Sequence, residues 1–141
     1  MPAVASMVRF YVDESALGLG KTLEAARKDV IHVGHRLIPE CPLGTPDPDW
    51  MAAVAQRGLV VIGRDKRIRS RPGEREVLQR QGLKVLRVGG AQDLSTWEWL
   101  GRFVRHWQTI EEVLEARPEG PWFYLVNANG LAEVPLGTGR R

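Results

Sequence analysis

The sequence predicts one α/β domain, a three-layer α/β/α sandwich with a mostly parallel central sheet. Short apolar runs alternate along the chain with segments of helical periodicity, a pattern typical of strand–helix–strand units. Residues 59–62 (LVVI) are apolar at every position, as expected of a central parallel strand that is covered on both faces. With 141 residues, of which 43% are hydrophobic and 26% charged, the chain is large enough to bury a core of its own.

The first half of the chain predicts alternating strands and helices around one proline-rich loop. Prolines occur repeatedly in residues 34–48, which indicates loop for much of that stretch. Asp47 is a natural N-cap, Pro48 suits a first helical turn, and Gly58 ends the helix that follows. The predicted elements are, in order, strand 8–12, helix 16–28, strand 30–33, helix 49–57 and strand 59–62.

The second half continues the pattern and adds a long C-terminal helix and a β-hairpin. Asn127-Ala128-Asn129-Gly130 predicts the hairpin turn. The aromatic residues of the long helix form apolar stripes, which we interpret as core rather than as a base-stacking platform. The predicted elements are helix 73–81, strand 83–88, helix 94–116 and strands 122–126 and 131–134.

These patterns place the domain at residues 8–135, between flexible termini at residues 1–7 and 136–141. Cys41 is the single cysteine, so the chain cannot form an internal disulfide. There is no apolar run of the roughly 18 residues that a membrane helix needs, and no basic leader precedes the apolar start. We therefore expect a cytoplasmic protein without a membrane segment.

Positive charge is concentrated after the strand at residues 59–62. Basic side chains on such a segment favour a polyanion, because they displace counterions from phosphates. The alternative is a solvated loop, but an acid, Asp65, lies inside the basic cluster. We expect nucleic acid binding by Arg64, Lys66, Arg67, Arg69 and Arg71.

Acidic residues occur where the strands of this sheet are predicted to end. Asp13 and Glu14 directly follow the first strand, and Asp65 follows the strand at residues 59–62. Asp47 and Asp49 begin the helix that leads into that strand. Function in open α/β sheets concentrates at the carboxyl ends of strands, so these acids can converge on one edge. Clustered carboxylates repel one another unless a cation such as Mg²⁺ or Mn²⁺ neutralises them, and such an ion can activate water against a phosphodiester.

Two segments of the chain carry a resemblance to a known family. They are FYVDES at residues 10–15 and DPDWMAAVAQRGLVVIGRDKRIRSRPGE at residues 47–74. Together they resemble the PIN-like domain superfamily, in particular its branch of bacterial toxin ribonucleases, over residues 8–90. The resemblance implies a metal-dependent endoribonuclease in which Asp13, Asp47 and Asp65 are the metal-site acids. It also implies an RNA substrate, an antitoxin partner and pairing into a homodimer. The C-terminal helix and hairpin extend beyond the resemblance, and we expect them to form a surface for either protein partner.

The chain departs from the pattern of this family in its acids. Gly63-Arg64-Asp65 stands where the family has a T-x-D-like triplet, without the usual hydroxyl residue. The family often has a further acid just after the third one, where this chain has Lys66 and Arg67. Further acids that could complete the cluster are Asp49, Glu74 and Glu40.

Three other interpretations compete with a nuclease. Gly20-Lys21-Thr22 suggests a phosphate-binding loop, but Ser15 occupies the position where that motif needs its first glycine. His32 and His35 do not form a recognised zinc spacing with Cys41. A PIN-like module that binds RNA or a partner without cleaving it is the stronger alternative, because of the missing acid after Asp65.

Overall fold

The computed structural model describes residues 7–45, 47–64, 72–88 and 94–136, without the side chains of residues 47, 48 and 72–74. Of the predicted flexible termini at residues 1–7 and 136–141, all but residues 7 and 136 lie outside this part of the chain. A short 3-10 helix (Glu14–Ala16) precedes the first α-helix. The elements in chain order are β1 (Phe10–Val12), α1 (Leu17–Ala26), β2 (Val30–His32), α2 (Asp47–Gln56), β3 (Val60–Gly63), α3 (Pro72–Gln81), β4 (Lys84–Val88), α4 (Thr96–Arg105), α5 (Trp107–Ala116), β5 (Trp122–Asn127) and β6 (Gly130–Glu133).

The strands form one six-stranded sheet in the order β2-β1-β3-β4-β5-β6. All neighbouring strands are parallel except β5 and β6, which form the predicted antiparallel hairpin. The chain therefore moves to one side of β1 for β2 and to the other side for β3, so β1 and β3 flank the point where the strand order reverses. Their register pairs Val12 with Ile62, which brings the two carboxyl ends side by side.

Side chains alternate between the two faces of the sheet and build a core on each. Tyr11 and Val61 face a core that α2 and α3 cover, whereas Phe10 and Val60 face a core that α1, α4 and α5 cover. The three-layer α/β/α architecture predicted from the sequence is confirmed. Among the described residues, no helix combines the length and the apolar character that crossing a membrane requires.

The prediction of one helix at residues 94–116 is wrong, because α4 and α5 meet at His106. The backbone of His106 leaves the helical region, with φ −105° and ψ 14°. Its Nε2 donates to the carbonyl oxygen of Ala128, at 3.0 Å, in the turn of the hairpin. The sequence has no proline or glycine at this position. The helix therefore breaks at a residue that bonds a distant part of the chain. The periodicity of the apolar residues does not predict this break.

Ion pairs tie the start of β1 to the turn before β2 and to α5. Arg9 Nη2 lies 2.8 Å from Asp29 Oδ2 and 2.7 Å from Glu111 Oε2. Hydrogen bonds from Arg9 lower the pKa of Glu111, and those from Arg27 and Arg9 outweigh the effect of burial to lower the pKa of Asp29. Both carboxylates therefore stay ionised at neutral pH, at the edge of the sheet opposite the carboxyl ends of its parallel strands.

We expect Gly20→Ala to destabilise the protein although alanine is the better helix former. A Cβ on Gly20 would lie 2.8 Å from His32 Cβ and 3.0 Å from Val12 Cβ, neither of which can swing away. Overpacking of this kind costs about 1–3 kcal/mol, more than the gain in helix propensity of about 1 kcal/mol. Urea unfolding measures the difference.

Gly101→Ala is the matched control, since Gly101 is exposed in α4 and its Cβ would meet no atom within 4 Å. This control should gain up to about 1 kcal/mol from helix propensity. Equal effects of the two substitutions would contradict the close packing of α1 on the sheet.

Candidate active site

Asp13 occupies the reversal point of the sheet. It directly follows β1, and its backbone N–H donates to the Ile62 carbonyl of β3 at 3.1 Å. Its side chain is 4% exposed, which makes it the only fully buried charged side chain in the described part of the chain. Charged residues are almost never buried in this way unless their charge is compensated. A carboxylate at this position therefore calls for a functional explanation.

Ser15 links Asp13 to the loop that follows β3. Its hydroxyl donates to Asp13 Oδ1 at 2.5 Å and its backbone N–H donates to the same oxygen at 3.1 Å. The same hydroxyl accepts a hydrogen bond from the backbone N–H of Arg64 at 2.9 Å. One side chain thus orients the carboxylate and holds the residue immediately before Asp65.

Gly63 provides the space that the Asp13 carboxylate occupies. A Cβ at residue 63 would lie 3.0 Å from Asp13 Oδ1 and 3.1 Å from Oδ2, tighter than ordinary contacts. A larger residue there would press on the carboxylate. Gly63 is the first residue of the triplet Gly63-Arg64-Asp65, and it lacks the usual hydroxyl group. The hydroxyl of Ser15 contacts Asp13 instead.

Tyr11 and Trp50 form the apolar floor next to Asp13. Tyr11 lies on the same face of the sheet, fully buried, with its ring 5.6 Å from the Trp50 ring of α2. Burial, followed by the nearby ionisable groups of Cys41, Asp13 and Glu14, raises the pKa of Tyr11, so the phenol stays neutral. Its buried hydroxyl has no hydrogen-bond partner among the described residues. A buried hydroxyl without a partner is unusual in a folded protein and needs an explanation.

The remaining predicted acids have different positions. Asp49 is exposed in the first turn of α2. The backbone of Asp47 begins α2, two residues earlier than the predicted helix start, but its side chain lies outside the described structure. The same holds for the side chain of Glu74 in α3 and for all of Asp65. Glu40 is paired with Arg57, with Oε2 2.6 Å from Nη1, so its carboxylate serves a different contact.

Glu14 has a structural role at the rim. Its Oε1 accepts a hydrogen bond from the backbone N–H of Gly44 at 2.7 Å, which ties the proline-rich loop to the end of β1. This contact holds that loop, which leads into α2, near Asp13.

The basic residues predicted to bind nucleic acid are described only in part. Arg64 is exposed, and its Cζ lies 5.9 Å from the centroid of the Trp99 ring. Lys66, Arg67, Arg69 and Arg71 lie outside the described residues. The described part therefore places one of these five positive charges, near the Trp99 ring, on a residue whose backbone N–H contacts Ser15.

The donors near Asp13 suit a hard cation, although the described residues contain no group of three metal-ligating side chains. Asp13 offers carboxylate oxygen, the ligand type that Mg²⁺ and Mn²⁺ prefer, in a notch that a Cβ would fill. Asp47 and Asp65 are the acids that would join it by their places in the fold, at the start of α2 and two residues after β3.

The competing motifs have structural roles. Gly20-Lys21-Thr22 lies inside α1, where Gly20 packs on Val12 and His32, so these residues do not form a phosphate loop. His32 Nδ1 lies 2.5 Å from Glu24 Oε1, and His35 Nδ1 accepts from the Leu37 N–H at 3.0 Å. Burial raises the pKa of the Cys41 thiol, which keeps it protonated and unreactive.

The comparison with protein families decides the relationship of this chain. The family model described as the PIN-like domain matches residues 8–90, which is more than half of the chain. The chain belongs to the PIN-like domain family. The match confirms the range of the resemblance inferred from the sequence, and PIN-like domains are commonly nucleases. No curated protein and no solved structure matches the chain significantly.

The PIN-like match runs just past β4 and leaves α4, α5, β5 and β6 outside it.

The sequence predictions missed Ser15, Gly63 and Tyr11 as parts of the site. A hydroxyl residue two positions after a strand-end acid was the available signal for Ser15, because such residues bond local backbone groups. Tyr11 gave no signal beyond its strand pattern.

We expect Ser15→Ala to destabilise the protein by about 1–3 kcal/mol, because a buried carboxylate and a backbone amide both lose a partner. Hydrogen exchange at the Arg64 amide should accelerate at least in proportion to this loss. Thr22→Ala is the control: Thr22 bonds the Gly18 carbonyl on the exposed side of α1, and its loss should stay within about 0.5 kcal/mol. Equal effects of both substitutions would contradict the linking role of Ser15.

Proposed function

We propose that this PIN-like protein is a metal-dependent endoribonuclease that hydrolyses RNA phosphodiesters. The observation that carries the proposal is the buried Asp13 carboxylate, held by Ser15 at the reversal point of the sheet in a PIN-like chain. Asp13, Asp47 and Asp65 would hold Mg²⁺ or Mn²⁺, and Asp49 or Glu74 would complete the acid set. When bound, the ion lowers the pKa of a water molecule and stabilises charge on the phosphoryl oxygens.

The protein contributes orientation and a low dielectric. Ser15 holds the Asp13 carboxylate in one orientation, and the carboxylate is buried away from water. Electrostatic interactions are stronger in such surroundings than in bulk water. The basic residues that follow β3 would hold the RNA backbone against the site; they are Arg64, Lys66, Arg67, Arg69 and Arg71.

A PIN-like module that binds RNA without cleaving it is the second candidate. The observation that favours it is the sequence after Asp65, where Lys66 and Arg67 stand in place of a further acid. Fewer carboxylates bind a divalent cation more weakly, which weakens catalysis before it weakens RNA binding.

We expect Asp13→Asn and Asp65→Asn to reduce RNA cleavage by at least about 100-fold, because each removes a charge that holds the metal ion. Cleavage of a mixed set of single-stranded and structured RNAs is measured with Mn²⁺, Mg²⁺ or EDTA. Glu112→Gln is the control, since Glu112 is an exposed acid of α5 outside the PIN-like match, and it should retain wild-type activity.

Cleavage that persists in EDTA or in both Asn variants would refute the metal-dependent mechanism. RNA binding without cleavage by any form of the protein would favour the binding module.

We further propose that the protein is the toxin of a toxin–antitoxin pair, as its resemblance to that branch of the PIN-like superfamily implies. Induced expression of the wild-type protein should then stop bacterial growth within a few generations, and expression of Asp13→Asn should not. Growth curves at matched protein levels, with Glu112→Gln as the active control, measure this effect. Equal inhibition by wild type and Asp13→Asn would contradict a toxicity caused by cleavage.

A further inference from the structure

Trp97 is the most exposed large hydrophobic residue in the described part of the chain, at 79% of its surface. Trp50, Trp99 and Trp122 are each at most 4% exposed. The sequence-based interpretation of these helix aromatics as core is confirmed for Trp99 and Phe103 and is wrong for Trp97. A large rigid ring exposed to water does not contribute to the core and is available for contact with another molecule.

The first turn of α4, which carries Trp97, lies at the same end of the sheet as Asp13. Thr96, the residue before it, packs against Gly18, where an added Cβ would lie 2.7 Å from Thr96 Oγ1. Gly18 belongs to the first turn of α1, directly after the 3-10 helix that Asp13 caps. The first turns of α1 and α4 therefore meet near the carboxyl ends of the strands.

The start of α4 is held by a reciprocal capping box. The Glu98 N–H donates to Ser95 Oγ at 3.2 Å, and the Ser95 N–H donates to Glu98 Oε1 at 2.9 Å. Two otherwise unpaired backbone groups are satisfied in this way. The turn that carries Trp97 is thus well anchored, so its ring can bind a planar partner at a small entropic cost.

Two arginines lie on the buried ring of Trp99, two residues after Trp97, and the backbone N–H of one of them, Arg64, donates to Ser15 beside Asp13. The Cζ atoms of Arg64 and Arg102 are 5.9 Å and 5.2 Å from the centroid of that ring. The Nε1–H of Trp99 is buried and donates to no acceptor among the described residues. Two guanidinium groups on one ring favour an anion at this position.

We propose that Trp97, Arg64 and Arg102 form a platform for unpaired RNA, with one base stacked on Trp97 and backbone phosphates along the two arginines toward Asp13. The proposal rests on the nuclease function proposed above and adds a binding site for its substrate. Stacking on an aromatic side chain requires an unpaired base, because the base faces inside a duplex are already stacked. Trp97 and Arg102 lie beyond the residues that match the PIN-like family, so the platform belongs to the C-terminal part of this chain.

The positive charge of Arg64 and Arg102 favours RNA, rather than a protein, as the molecule that binds at Trp97. A protein docking on this side of α4 would also use Val104, which is 64% exposed and two turns further along the same face as Trp97. An RNA base would use only the aromatic ring beside the arginines. Val104 therefore serves as a matched control for Trp97.

Binding is measured by fluorescence anisotropy with a labelled single-stranded 2′-O-methyl RNA, which resists cleavage, in EDTA. Trp97→Ala should weaken binding by about 10-fold or more, since stacking on one base is worth roughly that factor. Trp97→Phe should restore most of the affinity, and Val104→Ala should leave it unchanged. A blunt RNA duplex should bind wild type and Trp97→Ala equally, and Arg102→Gln should lower the salt dependence of single-strand binding by a slope of roughly 0.7.

Several outcomes would overturn the platform. These are single-strand binding by Trp97→Ala as tight as by wild type, no RNA binding by wild type, or equal losses with Trp97→Ala and Val104→Ala. Equal losses accompanied by a change in oligomeric state in light scattering would identify a protein contact. Binding and cleavage are measured separately: cleavage without dependence on Trp97 refutes only the platform, and Trp97-dependent binding without cleavage refutes only the nuclease.

Discussion

The structure depends on the burial of one carboxylate between two parallel strands. Asp13 is nearly inaccessible to solvent, beside Gly63 at the carboxyl end of the neighbouring strand. A buried carboxylate is costly unless hydrogen bonds and positive charge compensate it. Ser15 supplies two of those hydrogen bonds and connects the acid to the Arg64 backbone. The geometry of the whole site follows from satisfying this group.

The amino ends and the carboxyl ends of the parallel strands carry different kinds of charge. At the amino ends, Arg9 and Arg27 pair with Asp29 and Glu111, and these ion pairs join three elements. At the carboxyl ends, Asp13 Oδ1 accepts hydrogen bonds from the hydroxyl and the backbone N–H of Ser15. The first arrangement stabilises the fold, and the second orients carboxylate oxygen of the kind that a divalent cation binds. The amino ends of the strands therefore stabilise the sheet, whereas the carboxyl ends support chemistry.

The candidate site was predictable from the sequence in its acids and less so in its supporting residues. Asp13 was found because an acid that ends an apolar strand is visible in the letters, and parallel strands bring such ends together. Ser15, Gly63 and Tyr11 were missed because their roles depend on distances between strands. The break at His106 was missed for the same reason, since its partner is a carbonyl in a distant hairpin turn.

The sequence by itself determined the α/β class, the alternation of strands and helices, the hairpin and the membership in the PIN-like family, because apolar periodicity and turn residues act over a few neighbouring positions. Only the tertiary structure decided which strands are neighbours, that Gly63 makes room for the Asp13 carboxylate, and that Trp97 faces water while Trp99 is buried. Those features arise where segments far apart in the chain come into contact, and their exact fit depends on side-chain volumes and hydrogen bonds that no local pattern encodes.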